Sequence, residues 1–309
     1  MDGKGSADEN VVLMFLNEFI RVKDVIKWCV ISFFGFLLGL SSLDLPTHMV
    51  PLLVFLISTF CIMSFTFAVN NYYDAESDRR NPRRRDVNAV ASGKISRKTG
   101  AFLITLLATI PLFPCFLFKT EVFLLGLLFL FLMWIYSAPP FRFKGKPGLD
   151  VLGHFSVFVF IVMWGSFLAG SVELINWLAA VSIGVFSCIG QVSNHIIDYE
   201  FDKASGTKTY VVKVGLDKAE TTLKVFIALH LVLLIPLVIL YTLSYVVATV
   251  FVVAVAVLGF VVLRPKRGAF PTRRCFTYYF AVVLGGAVYG SCLIYRINVL
   301  LDAPSFHLV

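Results

Sequence analysis

Charge is scarce in this chain. Of its 309 residues only 15% are Asp, Glu, Lys or Arg, while 58% are hydrophobic and the mean hydropathy is +0.85. A soluble domain carries about 25% charged residues, so a water-soluble globule is excluded and the chain reads as an integral membrane protein. Patterned cysteine is also missing. Cys29, Cys61, Cys115, Cys188, Cys275 and Cys292 lie singly within apolar runs, with no Cys-x-x-Cys, which argues against a zinc site and against a disulfide framework. His48, His154, His195, His230 and His307 form no pair at metal-ligand spacing. Met1–Lys27 carries acids and no early apolar core, so it does not read as a cleavable signal peptide.

What the chain has in quantity is uncharged length. A membrane-spanning helix needs about 20 apolar residues. Trp28–Leu43, Leu45–Val69, Thr99–Phe118, Val122–Ala138, Val151–Val172, Leu174–Ile197 and Cys275–Tyr295 each supply one span. Val225–Leu263 runs 39 residues without a charge, enough for two helices turning near Thr242–Tyr245. The expectation is therefore nine transmembrane helices in one polytopic domain covering residues 1–309. The runs far exceed barrel strands of about 10 residues and lack period-2 alternation, so the fold class is all-α.

The surplus of positive charge, +8 at neutral pH, is informative once it is mapped onto the loops. With nine spans, 25 of the 27 Lys and Arg residues fall on alternate loops, beginning with the N-terminal segment. The positive-inside rule then places the N-terminus in the cytoplasm and the C-terminus outside, in a multi-pass protein of the cell membrane. Nucleic acid is excluded as a partner, because the basic residues are divided among membrane loops. The oligomeric state is not legible.

Two segments repeat one pattern, Asn-x-x-x-Asp-x-Glu-x-Asp. The first comprises Asn70, Asp74, Glu76 and Asp78; the second, 124 residues later, comprises Asn194, Asp198, Glu200 and Asp202. Each closes an apolar run on the cytoplasmic side, at equivalent positions four helices apart, which suggests two four-helix halves with a ninth helix added. On a helix, residues i and i+4 share a face, so Asn70, Asp74 and Asp78 form one expected stripe and Asn194, Asp198 and Asp202 another. A single Asp-x-x-x-Asp at a helix end is ordinarily a solvated cap. The second copy favours a shared ligand. Facing carboxylates repel in a low-dielectric setting, and Mg²⁺ relieves this while retaining water and taking one or two carboxylates plus substrate phosphate. The six stripe residues are thus candidate metal ligands, with the four Asp residues as the catalytic set. Glu76 and Glu200 fall on other faces and are assigned to solvent, ion pairs or a supporting position behind the metal ligands. His195 is read as a packing residue.

A diphosphate also needs cations. Candidates on the same face are Arg21, Lys94 in Ala91-Ser92-Gly93-Lys94-Ile95, Arg142 and Lys144 after Tyr136-Ser137-Ala138-Pro139-Pro140-Phe141, and Lys208 in Gly206-Thr207-Lys208-Thr209. Tyr136, with Tyr72, Tyr73 and Phe141, flanks this region and could stabilise an allylic cation through ring faces.

Together these segments resemble the UbiA superfamily of intramembrane prenyltransferases over essentially the whole chain. Asn70, Asp74 and Asp78 match that family's Asn-Asp-x-x-Asp-x-x-x-Asp motif, with Asn71 in place of its second residue. Asp198, Asp202, Gly206 and Lys208-Thr209 match the second motif. The Tyr-Ser-x-Pro-Pro segment with Lys144 looks like the family's Tyr/Lys motif, whereas Arg79–Ala91 is longer and more basic than the usual loop. The resemblance implies nine helices around a central cavity, Mg²⁺ as cofactor, and isoprenyl diphosphate plus a lipophilic acceptor as substrates amid membrane lipids. The implied reaction is prenyl transfer, of the class that moves alkyl groups other than methyl. Two other readings are a divalent-cation or proton-coupled transporter built from repeats, and a noncatalytic binder of lipid diphosphates. Transport fits less well, because the carboxylates lie at helix ends and no assigned span holds one at its middle.

Overall fold

A computed structural model describes residues 11–241 and 272–302, and all structural statements concern those residues. Every named element there is helical, and the described residues contain no strand, only an isolated antiparallel bridge between Leu40 and Gly170. The long helices are α1 (Val22–Leu38), α2 (Leu45–Arg79), α3 (Arg97–Thr109), α4 (Leu112–Phe118), α5 (Thr120–Ser137), α6 (Leu149–Ala169) and α7 (Leu174–Ile197). The shorter α8 (Tyr199–Ser205) and α9 (Tyr210–Val214) follow, then α10 (Leu216–Tyr241) and α11 (Thr272–Asp302). Seven helical stretches are long and apolar enough to cross a membrane. The eighth expected span, in the second half of Val225–Leu263, lies outside the described residues.

Local chemistry accounts for the departures from the expected boundaries. The run Thr99–Phe118 is divided between α3 and α4 at Ile110–Pro111, where proline lacks the N–H that would continue the helical ladder. The first helix begins earlier than expected, at Val22, and stops at Leu38 instead of Leu43, with 17 residues. Helix α6 ends at Gly170, whose φ of +103° is the left-handed conformation that closes helices and favours glycine.

The chain divides into two compact units, Met1–Phe33 with Leu45–Phe143, and Phe34–Asp44 with Lys144–Val309. The boundary near Phe143 falls between the fourth and fifth expected spans. In the first unit α2 is central: it packs against α3, α4 and α5, with Ile62, Met63, Ala68 and Val69 fully buried beside Phe129 and Met133. In the second, α7 packs against α6, α10 and α11 around Ile189, Val192, Ile175 and Leu237.

The last residues of α1, from Phe34, belong to the second unit through a close backbone approach. A Cβ on Gly35 would stand 2.0 Å from the Val162 carbonyl oxygen, and one on Gly39 2.6 Å from the Ser166 Cα. Small residues four apart allow such approach between membrane helices, and the Ser166 hydroxyl donates to the Gly35 carbonyl at 2.9 Å. At the same end, Arg296 of α11 donates to the Leu40 carbonyl and to Glu173 at 2.8 Å.

Gly35→Leu is expected to cost more than the roughly 1–3 kcal/mol typical of overpacking, because the obstacle is backbone. The expected readout is a lower melting temperature and loss of the monodisperse peak in detergent. Gly190→Ala, where an added Cβ meets nothing within 4 Å, should leave both intact.

Candidate active site

Helix α2 continues without a break through the first motif to Arg79, so its carboxylates ride on a helix that is rooted in the core. Three contacts gather the partners of this motif. The Arg142 guanidinium donates to Asp74 Oδ1 at 3.1 Å, the Ser137 hydroxyl donates to Asn70 Oδ1 at 3.2 Å, and the Asn88 carboxamide donates to Asp78 Oδ2 at 2.9 Å. Two of these come from the Tyr136–Arg142 segment, where Tyr136 lies half-buried in the last turn of α5. The first motif and its expected basic-aromatic segment therefore meet in space. Glu76 is exposed and pairs with Arg79 and Arg80 at 3.8 and 3.4 Å, as an outward-facing acid should.

The turn after α5 is unusual at its backbone. Pro139-Pro140 is cis, and Arg142 has φ +40° with its N–H bonded to the Ala138 carbonyl. Among the described residues, the non-glycine positions with positive φ are Arg142 and Arg21, at +56°. Side-chain-bearing residues adopt that region at a cost, and the cost is tolerated where the surroundings hold it. Arg21 pairs with Asp24 at 2.6 Å and lies over the Phe67 ring at 5.0 Å. Lys94 makes two bonds to the Glu18 carboxylate, 2.7 and 2.8 Å. Lys144 is half-buried on a 3₁₀ turn, Phe143–Gly145. The Tyr72 ring meets Tyr73 edge-on and carries the Arg97 guanidinium at 5.6 Å.

The second motif departs from the expected stripe. Helix α7 stops at Ile197, Asp198 takes the cap position with φ −88° and ψ 4°, and α8 starts afresh at Tyr199. The Asp198 side chain makes no capping bond at this break. The i to i+4 backbone bonds survive: Asp198 N–H reaches Asn194 O at 3.0 Å and Asp202 N–H reaches Asp198 O at 2.8 Å. The side chains nevertheless differ in setting, with Asn194 and Asp198 exposed and Asp202 buried. Gly206, at φ +72°, ends α8 and leads into exposed Lys208, while the Thr209 hydroxyl caps α9.

Two residues near these motifs escaped sequence reasoning. Asp150, fully buried at the start of α6, accepts from the N–H groups of Gly148 at 2.7 Å, Val151 at 2.9 Å and Tyr210 at 2.9 Å. A buried carboxylate is tolerated when it is bonded in this way, and the helix N-terminus adds a favourable dipole. His195 Nδ1 stands 3.6 Å from the same carboxylate, and His195 Nε2 is 3.0 Å from Gln191 Nε2. The other is Asn88. No pattern in the basic loop, which also holds Asn81, singled it out.

The first motif suits a hard cation in the character of its donors. Asp74, Asp78 and Asn70 offer oxygens only, which is the donor type that Mg²⁺ takes, and Asn88 supplies the supporting bond that ligating carboxylates usually have. Among the described residues no group of three or more His, Cys, Asp or Glu could hold a metal ion by itself. The set therefore fits Mg²⁺ completed by water and phosphate oxygens, not a closed protein cage.

The UbiA prenyltransferase family profile matches residues 29–296. The chain belongs to the UbiA prenyltransferase family. A lycopene elongase/hydratase of Corynebacterium glutamicum is 30% identical over 152 residues, 48% of this chain and 53% of that protein. This UbiA chain thus spans about half the length of the first curated relatives it matches. A digeranylgeranylglyceryl phosphate synthase of Thermococcus sibiricus is 25% identical over 207 residues, 67% of this chain and 71% of the relative. A UbiA homolog from Archaeoglobus fulgidus, solved with GPP and Mg²⁺ bound, superposes with a TM-score of 0.65 at 22% identity, covering 93% of this chain and 99% of the other. That likeness shows the UbiA fold.

Asn71 is where this UbiA member departs from the first motif, and the structure supplies the reason. Its carboxamide N–H groups donate to the carbonyls of Glu18 at 3.0 Å and Phe19 at 2.9 Å, in the N-terminal π-helical turn Phe15–Phe19. A carboxylate there would face two acceptors and donate to neither. Asn71→Asp should accordingly destabilise the protein by about 1–3 kcal/mol, the cost of leaving buried partners unpaired, read as a lower melting temperature in detergent, despite restoring the family's residue.

Proposed function

We propose that this chain is a Mg²⁺-dependent prenyltransferase. It transfers a prenyl group from a polyprenyl diphosphate to an aromatic or other lipophilic acceptor, releasing pyrophosphate through an allylic carbocation. The observation that carries the reading is the Arg142–Asp74 contact, which joins an expected diphosphate cation to an expected metal ligand across 68 residues of sequence. An arginine against a carboxylate at the end of an apolar helix is the charge arrangement a metal-bound diphosphate requires, since that ligand presents both signs. Family membership supports the same reading, as do a relative that makes digeranylgeranylglyceryl phosphate and a homolog solved with GPP and Mg²⁺.

In this proposal Asp74, Asp78, Asp198 and Asp202, with the carboxamides of Asn70 and Asn194, hold the metal. Bound Mg²⁺ supplies charge neutralisation for the departing pyrophosphate. Arg142, Lys144, Lys208, Lys94 and Arg21 take phosphate oxygens, with Lys94 leaving Glu18 and Arg21 leaving Asp24 as they do so. Preorganised cations of this kind stabilise charge that develops in the transition state. Tyr136 borders the carbon that becomes cationic, and water exclusion protects that carbon until the acceptor attacks. The polytopic domain crosses the membrane nine times, with the N-terminus and the site opening in the cytoplasm and the C-terminus outside.

The test uses purified protein, labelled geranyl diphosphate, Mg²⁺ and a panel of lipophilic acceptors. Mg²⁺-dependent diphosphate binding should be strong in the unaltered protein and abolished by EDTA. Asp74→Ala and Asp198→Ala should each lower turnover about a hundredfold or more, the scale of losing one electrostatic stabiliser, while the detergent elution profile is retained. Binding that survives both substitutions, or complete metal removal, would contradict the assignment.

A further inference from the structure

Asn88 lies in the basic loop between α2 and α3, is 1% exposed, and uses every hydrogen-bonding position of its carboxamide. The nitrogen donates to the Asn71 carbonyl at 2.9 Å and to Asp78 Oδ2 at 2.9 Å. The oxygen accepts from the backbone N–H of Val90 at 3.1 Å and of Ala91 at 3.2 Å. A carboxamide has two donors and one oxygen with two lone pairs, so this environment accepts Asn and no other side chain of that size. Asp would keep the two accepted bonds but turn an acceptor toward Asp78. Ala would lose all four. The two backbone donors also settle which end of the amide is oxygen, so the donor facing Asp78 follows from the network.

The bond is one link in a chain. The Glu18 and Phe19 carbonyls receive the Asn71 amide, the Asn71 carbonyl receives the Asn88 amide, and Asn88 then holds Asp78. The Ala89 N–H closes the loop back onto the Glu18 carbonyl at 3.2 Å, and Arg79 donates to the Ala91 carbonyl at 3.3 Å. The long basic loop is therefore fastened to the motif helix from both sides, and Asp78 is the one motif carboxylate that it grips through Asn88.

We propose that Asn88 is a positioning residue for Asp78: it fixes the rotation of that carboxylate so that the first motif presents a preset oxygen to Mg²⁺. The inference rests on the reading of Asp78 as a metal ligand. Outer partners of this kind typically change metal affinity about 10–100-fold when removed. The loop's length then has a use, because the loop must fold back to bring position 88 against Asp78.

The experiment titrates Mg²⁺ against binding of tritiated geranyl diphosphate and records the metal-free melting temperature of the same samples. Asn88→Ala and Asn88→Asp should raise the half-maximal Mg²⁺ concentration about tenfold or more. Asn71→Ala removes the neighbouring amide but keeps the Asn88–Asp78 bond. It should lower the melting temperature comparably while shifting the Mg²⁺ requirement less than twofold. Asn88→Ser, which keeps one donor, should fall between Asn88→Ala and the unaltered protein and serves if the other two fail to fold. Unshifted Mg²⁺ requirements in the Asn88 variants, or an equal shift in Asn71→Ala, overturn the positioning role. Absence of Mg²⁺-dependent binding in the unaltered protein overturns the metal reading, and this inference with it.

Discussion

An ionised carboxylate at the end of an apolar helix must be paid for by opposite charge or hydrogen-bond donors, and this constraint organises both motif regions. The solution on the first motif is external. Asp74 takes an arginine from a turn 68 residues away, and Asp78 takes an amide from the following loop. The second motif is arranged differently: Asp198 stands exposed between two helices, and Asp202 is buried in the first turn of the next. Nearby, the buried Asp150 is neutralised by three backbone N–H groups. Asp74, Asp78 and Asp150 are thus held by three different devices, and the two copies of the sequence pattern differ in setting.

Polar side chains also fasten the helices to one another. Asn71 and Asn88 tie the N-terminal turn and the basic loop to α2. Ser166 and the Gly35–Gly39 pair bring α1 against α6, and Arg296 secures α11 to Leu40 and Glu173. In an apolar solvent the hydrophobic effect contributes little between helices, and such bonds with close packing take its place. Rigidity at the first motif follows, because its helix is clamped at the level of the carboxylates.

Much of the fold was legible because charge-free length is a direct signature of membrane helices. Leu174–Ile197 was read with the bounds it has, and the Asp-Glu-Asp repeat marked both acidic regions. The break at Asp198 was not legible: a cap and a helix interior share the same four-residue spacing, and only backbone geometry separates them. Asn71 read as a lost ligand, since its role depends on carbonyls 52 and 53 residues away. Lys94 read as a candidate cation for substrate phosphate, and its partner Glu18, 76 residues earlier, was not legible. Asn88 carried no pattern at all, because its four bonds exist only once the loop has folded back onto α2. Tertiary pairing decided each of these cases.

The central claim is that the two acidic motifs serve one metal–diphosphate. A double-mutant cycle tests it most directly, with Mg²⁺-dependent geranyl diphosphate affinity measured for the unaltered protein, Asp78→Asn, Asp202→Asn and the double variant. Groups that act on one ligand couple by about 0.5–3 kcal/mol, whereas independent sites add within about 0.5 kcal/mol. The account predicts clear non-additivity, with the second substitution costing much less than the first. Simple additivity of the two losses would contradict it.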